Sequence, residues 1–242
     1  MTTRCLNCPL KGKDIFAHKT EEDFRQTEQF KKGELTVEEG TTLLMEGTNA
    51  PQLYTAIGGM GLRYKTLPNG RRQVINFVFP GDFIGLQAAV MSEMQHTVVA
   101  STDMRLCVFD RSEFMRFIRN HPERGFDITW LAAVEEHFLG DALVTVGQRT
   151  ALERVAWGLL RLHERGEALG LTQGGVMPLP FRQQDFADAV GLSLVHTNKT
   201  LGKLRERQIA TWRDGGLTVA NPQALADIAE IERGNVPKRP YV

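Results

Sequence analysis

The 242-residue chain predicts an α+β protein, with an all-β part first, a long helix in the middle and a helical part last. Three observations carry this. Residues 34–110 hold short β-prone runs cut by turn signals. After Asp110 the apolar period lengthens from strand-like to helix-like. Residues 183–206 read as two short helices joined at a glycine.

The elements follow in order. EEDFRQTEQF predicts a short helix, with a turn at Gly33. LTVEEG, TTLLMEG, QLYTAIGG, LRYKTL, RRQVINFVF and TVVASTDMRLCVFD then read as strands, spaced as in a sandwich or barrel. Asn69-Gly70 is a hairpin turn, and Gly81-Asp82 marks another after Phe79-Pro80. RSEFMRFIRN is a short helix broken at His121-Pro122. The long helix after it carries two apolar stripes. Phe126, Trp130, Ala133, His137, Gly140 and Val144 form one; Leu131, Val134, Phe138 and Ala142 form the other. Two stripes imply two packing partners, the β part and a second copy of the same helix. A single broad core face in a monomer is the alternative. Thr150 opens a further helix, LTQGGVMPLP is a turn-rich connector, IATWRDGGLTVA is a small hairpin and NPQALADIAEI a closing helix.

GLSLVHTNKTLGKL, residues 191–204, has too few apolar residues for a core element. At about 100° per residue, Thr197, Leu201 and Leu204 face one way, and Val195, Asn198, Lys199 and Gly202 the other. A valine methyl, an amide and a cation are the groups that read thymine, adenine and guanine edges. Ser193 stands at the N-cap position. Gln183–Val190 is the helix before it, with Phe186, Ala187 and Val190 inward; Ala187 and Gly191 are small where two helices would cross. That is helix-turn-helix geometry, whose second helix enters the DNA major groove. Lys+Arg and Asp+Glu balance at 29 each over the whole chain, so a nucleic-acid surface must be local. Residues 181–213 supply one: Arg182, Lys199, Lys203, Arg205, Arg207 and Arg213 against Asp185, Asp188 and Glu206. Three cysteines do not suggest a disulfide scaffold, and the polar N-terminus lacks an apolar leader; with no membrane-spanning run, a cytoplasmic protein is expected.

PGDFIG at 80–85, the long helix after His121-Pro122 and LPFRQQDFADAVGLSLVHTNKTLGKLRERQIA at 179–210 together resemble the Crp/Fnr transcription regulators, over about residues 20–230. The resemblance implies an N-terminal arm and jelly-roll-like β-roll sensor domain (1–120), a dimerisation helix (121–148) and a winged helix-turn-helix (149–242). It implies a homodimer on palindromic double-stranded DNA that contacts RNA polymerase, with the Leu67–Arg71 hairpin as a candidate contact. Val195 and Lys199 match base-reading positions, with Asn198 on the same face, and Ser193, His196, Gln183 and Gln184 match phosphate-contact positions; Lys203 adds charge. Phe126, Trp130, Ala133, His137 and Val144 would form the dimer seam. Many members carry an acid at the Val195 position and an arginine at that of Lys199, and lysine lacks the planar fork, so the preferred half-site should differ. Thr197 and Thr200 stand where larger aliphatics are usual.

The effector is open. Nucleotide-binding members hold the cyclic phosphate with a Glu and an Arg-Ser pair; here Leu86 and His96-Thr97 stand instead, which argues against a cyclic nucleotide. His96 is expected on a loop or rim. Cys5, Cys8 and Cys107 are candidate ligands for an iron–sulfur cluster, which usually takes four thiolates. Cys107 alternatively packs as a small apolar residue, and Cys5 and Cys8 could form a thiol switch. Haem could draw on His18, His96, His121, His137 or His163, but no attachment motif is present. A redox- or ligand-sensing cupin-like enzyme on the roll is the rival function. It needs clustered histidine and glutamate ligands, and residues 34–110 contain only His96.

Overall fold

The computed structural model describes residues 3–234 and 238–242. It separates into two compact units. The first comprises Met1–Arg71, Ile75–Glu136 and Lys238–Val242; the second, Arg72–Val74 and His137–Pro237.

In the first unit α1 (Glu21–Phe30) starts at Thr20, whose hydroxyl and Asp23 cap each other's backbone N–H. Gly33 is not a turn. β1 (Lys31–Val37) runs through it with a bulge between Lys31 and Gly33. Then come β2 (Thr42–Leu44), β3 (Gln52–Gly58), β4 (Gly61–Thr66), β5 (Arg72–Val78, whose first three residues are assigned to the second unit), β6 (Phe83–Ile84), α2 (Leu86–Met91), β7 (Thr97–Ala100), β8 (Met104–Asp110) and α3 (Phe114–Asn120). They form two four-stranded sheets, ordered β1-β8-β3-β6 and β2-β7-β4-β5. Tyr54, Ala56, Val78, Ile84, Val98, Met104 and Leu106 are among the residues of their common apolar core. This is the jelly-roll-like β-roll that the family resemblance implied, and it fits the sandwich or barrel expected from the strand spacing. Asn69 turns the β4–β5 hairpin, its side chain accepting from Arg71 N at 3.1 Å. At Gly81 φ is +92° and a Cβ would overlap the Phe16 ring, so both backbone and packing demand glycine.

α4 (Pro122–Gln148) is a 27-residue helix whose N-terminal part belongs to the first unit and the remainder to the second. The two stripes differ in exposure. Leu131 is buried and the Phe138 ring packs 5.7 Å from Trp157. Phe126 is 70% exposed, Val144 51%, and Ala133, His137 and Gly140 are exposed, with Trp130 half-buried. Leu143, 71% exposed, extends the open face beside Val144.

The second unit continues with α5 (Ala151–Ala168), capped by Thr150, then β9 (Met177–Pro178), α6 (Gln183–Val190), α7 (Leu194–Glu206), β10 (Ala210–Arg213), β11 (Gly216–Val219) and α8 (Pro222–Ala229). The connector 171–180 hides β9, which pairs with β11 to make the hairpin a three-stranded wing. A close helix approach falls at Gly158 of α5, not at Gly191, while Ala187 is fully buried as expected. A Cβ on Gly158 would lie 2.8 Å from the Phe186 ring, whereas one on Gly191 would meet only ordinary contacts. Gly191 is needed for its backbone, at φ +65°. Gly158→Val should therefore lower unfolding stability by about 1–3 kcal/mol through overpacking, read from denaturant melts, despite valine's better helix propensity.

Candidate nucleic-acid interface and sensor roll

α6 is anchored by Phe186, Ala187 and Val190, all essentially inaccessible. The Phe186 ring also meets Trp212 of the wing edge-on at 5.5 Å. Gly191 ends α6, and Leu192 N donates back to Ala187 O at 3.0 Å. Ser193 Oγ accepts from His196 N at 3.2 Å, so the N-cap expected from sequence is made. α7 turns Thr197, Thr200 and Leu204 inward, at 0, 2 and 0% exposure, while Leu201, expected on that side, is only half-buried. Thr200 satisfies its hydroxyl on His196 O at 2.8 Å, while the buried Thr197 hydroxyl has no partner among the described residues. Threonine in place of a larger aliphatic thus leaves an unpaired polar atom under α7.

The opposite side of α7 is open. Val195 is 80% exposed, and Ser193, His196, Asn198, Lys199 and Lys203 are exposed. Lys199, Lys203, Arg205, Arg207 and Arg213 form no ion pair among the described residues. Arg182 does: its Nη2 lies 2.9 Å from Asp185 Oδ1, which removes it from the free cations counted in the sequence. Gln183 is half-buried, and Gln184 donates to Asp188 Oδ1 at 2.6 Å. The two glutamines thus open α6, and Ser193 and His196 open α7, at helix N-termini, whose dipole suits an anion.

The roll differs from its expectation at His96. The residue lies in a bend but is buried, at 8% exposure, beside Arg63, Lys65 and Glu46. Burial, then the Arg63 and Lys65 charges, push its pKa down to about 4 against the pull of Glu46. The neighbouring Thr97 hydroxyl is already taken, accepting from Glu46 N at 3.1 Å. The Arg63 guanidinium is buried, donating to Phe83 O at 3.1 Å and pairing at 3.1 Å with Glu135 of α4, which also accepts from Asn76 at 2.9 Å. Neither sequence pattern nor spacing announced that network.

The three thiols are near enough to influence one another electrostatically, but they do not form a ligand set. Among the described residues no three His, Cys, Asp or Glu side chains are grouped to hold a metal. Burial pushes Cys5 up to about 11 and Cys107 up to about 12. Cys107 sits on β8 as a buried apolar residue.

Residues 34–121 match the cyclic nucleotide-binding domain family, and residues 153–228 the Crp-like helix-turn-helix domain family. The transcriptional activatory protein AadR of Rhodopseudomonas palustris is 32% identical over 188 residues, 77% of each chain. The chain belongs to the Crp/Fnr family of transcription regulators. The nitrogen fixation regulation protein FixK of Bradyrhizobium diazoefficiens is 29% identical over 225 residues, 93% of each chain. The structure of FixK2 from Bradyrhizobium japonicum aligns with a TM-score of 0.74 at 25% identity, covering 84% of this chain and 98% of that one. A CRP/FNR-family regulator from Thermus thermophilus shares the fold, with a TM-score of 0.62 at 21% identity, over 83% of this chain and 100% of that one. AadR and FixK both carry the names of regulatory proteins. No described helix is long and apolar enough to cross a membrane.

The His96 environment gives a pH signature. The unfolded ring protonates near its ordinary 6.5, but the folded ring resists until about pH 4. Stability from the neutral ring is present above that unfolded value and is lost as pH falls through the interval. His96→Gln should lose less unfolding free energy between pH 7 and pH 4.5 than the parent, measured by urea melts at both.

Proposed function

We propose that the protein is a homodimeric, sequence-specific regulator that reads a palindromic DNA site through α7. The open face of α7 carries this reading: Val195, Asn198 and Lys199 project from a helix whose other side is fully packed. Val195 and Lys199 read base edges, Asn198 assists, and Ser193, His196, Gln183, Gln184 and Lys203 hold backbone phosphates. The acid common at the Val195 position would select a cytosine amine; valine selects a methyl group instead, so the half-site shifts toward thymine there. In full-length protein, with the site found by selection from random DNA, Asn198→Ala/Lys199→Ala should weaken binding by about tenfold to a hundredfold and relax the preferred sequence. Unchanged affinity would remove α7 as the reader. Lys203→Ala should weaken binding about equally across sequences and flatten its salt dependence.

Dimerisation uses the exposed stripe of α4. Phe126, Trp130, Ala133, His137 and Val144, joined by Leu143, offer an apolar seam that a monomer would leave in water. Val144→Glu with Leu143→Glu should give a monomer by sedimentation and abolish tight operator binding. The two recognition helices then match half-sites one helical turn apart. A signal in the roll would shift the population of dimer states.

The effector is not a cyclic nucleotide. Leu86 offers no carboxylate and His96 no fork, and the buried guanidinium nearby is already committed to Glu135. Titration with cyclic AMP should give no heat and no change in operator affinity. Activity in the cytoplasm and contact with RNA polymerase complete the proposal.

A further inference from the structure

The last residues described do not belong with the helices that precede them. Lys238–Val242 is part of the roll unit, whereas α8 is part of the other. The segment is built in. Arg239 N donates to Ile15 O and Ala17 N to Arg239 O, both at 2.9 Å, giving a parallel bridge between Phe16 and Arg239. Arg239 Nη2 pairs at 2.9 Å with Asp82 Oδ1, both side chains nearly buried, at 11 and 6% exposure. Asp82 is the acid of the PGDFIG turn, and its other oxygen accepts from Phe79 N at 2.8 Å. Pro240, Tyr241 and Val242 are buried. The Tyr241 ring lies 4.8 Å from that of Phe16, which in turn rests on Gly81.

Lys19 shows what the segment covers. Its side chain is buried, and its ammonium has no hydrogen-bond partner among the described residues. The Nζ instead sits 4.4 Å from the Tyr241 ring centre and 5.9 Å from that of Phe24. The ring face offsets part of the lost hydration. Cys8 interacts electrostatically with Lys19, and the Tyr241 hydroxyl with both Cys8 and Cys5. Cys5 is only 7% exposed and Cys8 half-buried.

We propose that Lys238–Val242 is a releasable strap, tied by backbone hydrogen bonds to Ile15–Ala17 of the N-terminal arm that carries Cys5 and Cys8, and that its release opens these thiols to solvent. The strap is poised because it keeps an unsolvated ammonium beneath it. Lifting Tyr241 rehydrates Lys19, which opposes the contacts that hold the strap down. The arm becomes reactive through opening of one short segment, without unfolding of the sheets.

Iodoacetamide labelling of the full chain, read by mass spectrometry at each cysteine, tests this. The thiol sulfur displaces iodide and its proton passes to solvent. Arg239→Ala/Tyr241→Ala should label Cys5 about tenfold faster, and Cys8 faster too, with Cys107 unchanged. Tyr241→Phe keeps the ring over Lys19 and should label as the parent does. An unchanged Cys5 rate in the double variant overturns the proposal. If Cys107 labels faster in step, native-state amide exchange of the parent decides: protected Ala17 and Arg239 amides that open together support the strap, and free exchange at either overturns it. Neither readout depends on DNA binding.

Discussion

The packing of Phe186 on the bare backbone at Gly158 is the contact on which the DNA-facing half of the molecule depends. It sets how near α6 lies to α5. Phe186 also meets Trp212, so the same ring locates the wing. Gly191 then reverses the chain in a conformation that a side chain resists, and α7 starts from a fixed point. Because Thr197, Thr200 and Leu204 are consumed by packing, the residues between them on the helical wheel must face out. The open face is a geometric consequence of the closed one.

α4 shows the same logic at larger scale. Its buried stripe is used within the chain, while Phe126, Leu143 and Val144 remain in water. Exposure of several large apolar side chains in one line along a helix lowers stability and solubility unless a second surface covers it. Under the proposed dimer, the long helix is both a structural spine and an association surface. The buried Arg63–Glu135 pair secures the spine's first half to the roll. A desolvated ion pair adds little net stability, but breaking it leaves an uncompensated charge, so it resists alternative arrangements.

Much of this was legible in the chain. The strands, the Asn69-Gly70 hairpin, the helix break at His121-Pro122, the Ser193 cap and the inward faces of α6 and α7 are short-range features. Each depends on residues within a turn or two of one another. The departures are long-range. Gly33 looked like a turn because its bulge needs β8 opposite it. β9 looked like connector because two residues become a strand only beside β11. His96 looked peripheral because its burial beside Arg63 joins separate strands. Cys107, by contrast, packs on its strand as a small apolar residue, one of the two readings its position allowed.

The sequence by itself determined the element order, the two apolar stripes of α4, the local positive charge and the identities presented by α7. Periodicity, caps and turn chemistry are encoded by neighbours, and charge is a plain sum. Only the tertiary structure decided which stripe is covered, which glycine takes the close approach, where Arg63 finds its partner, and that Lys238–Val242 returns to Asp82 and Phe16. Those outcomes are set by chain segments far apart in sequence. They meet only after burial of apolar surface has brought the sheets and helices together, and no local pattern records them.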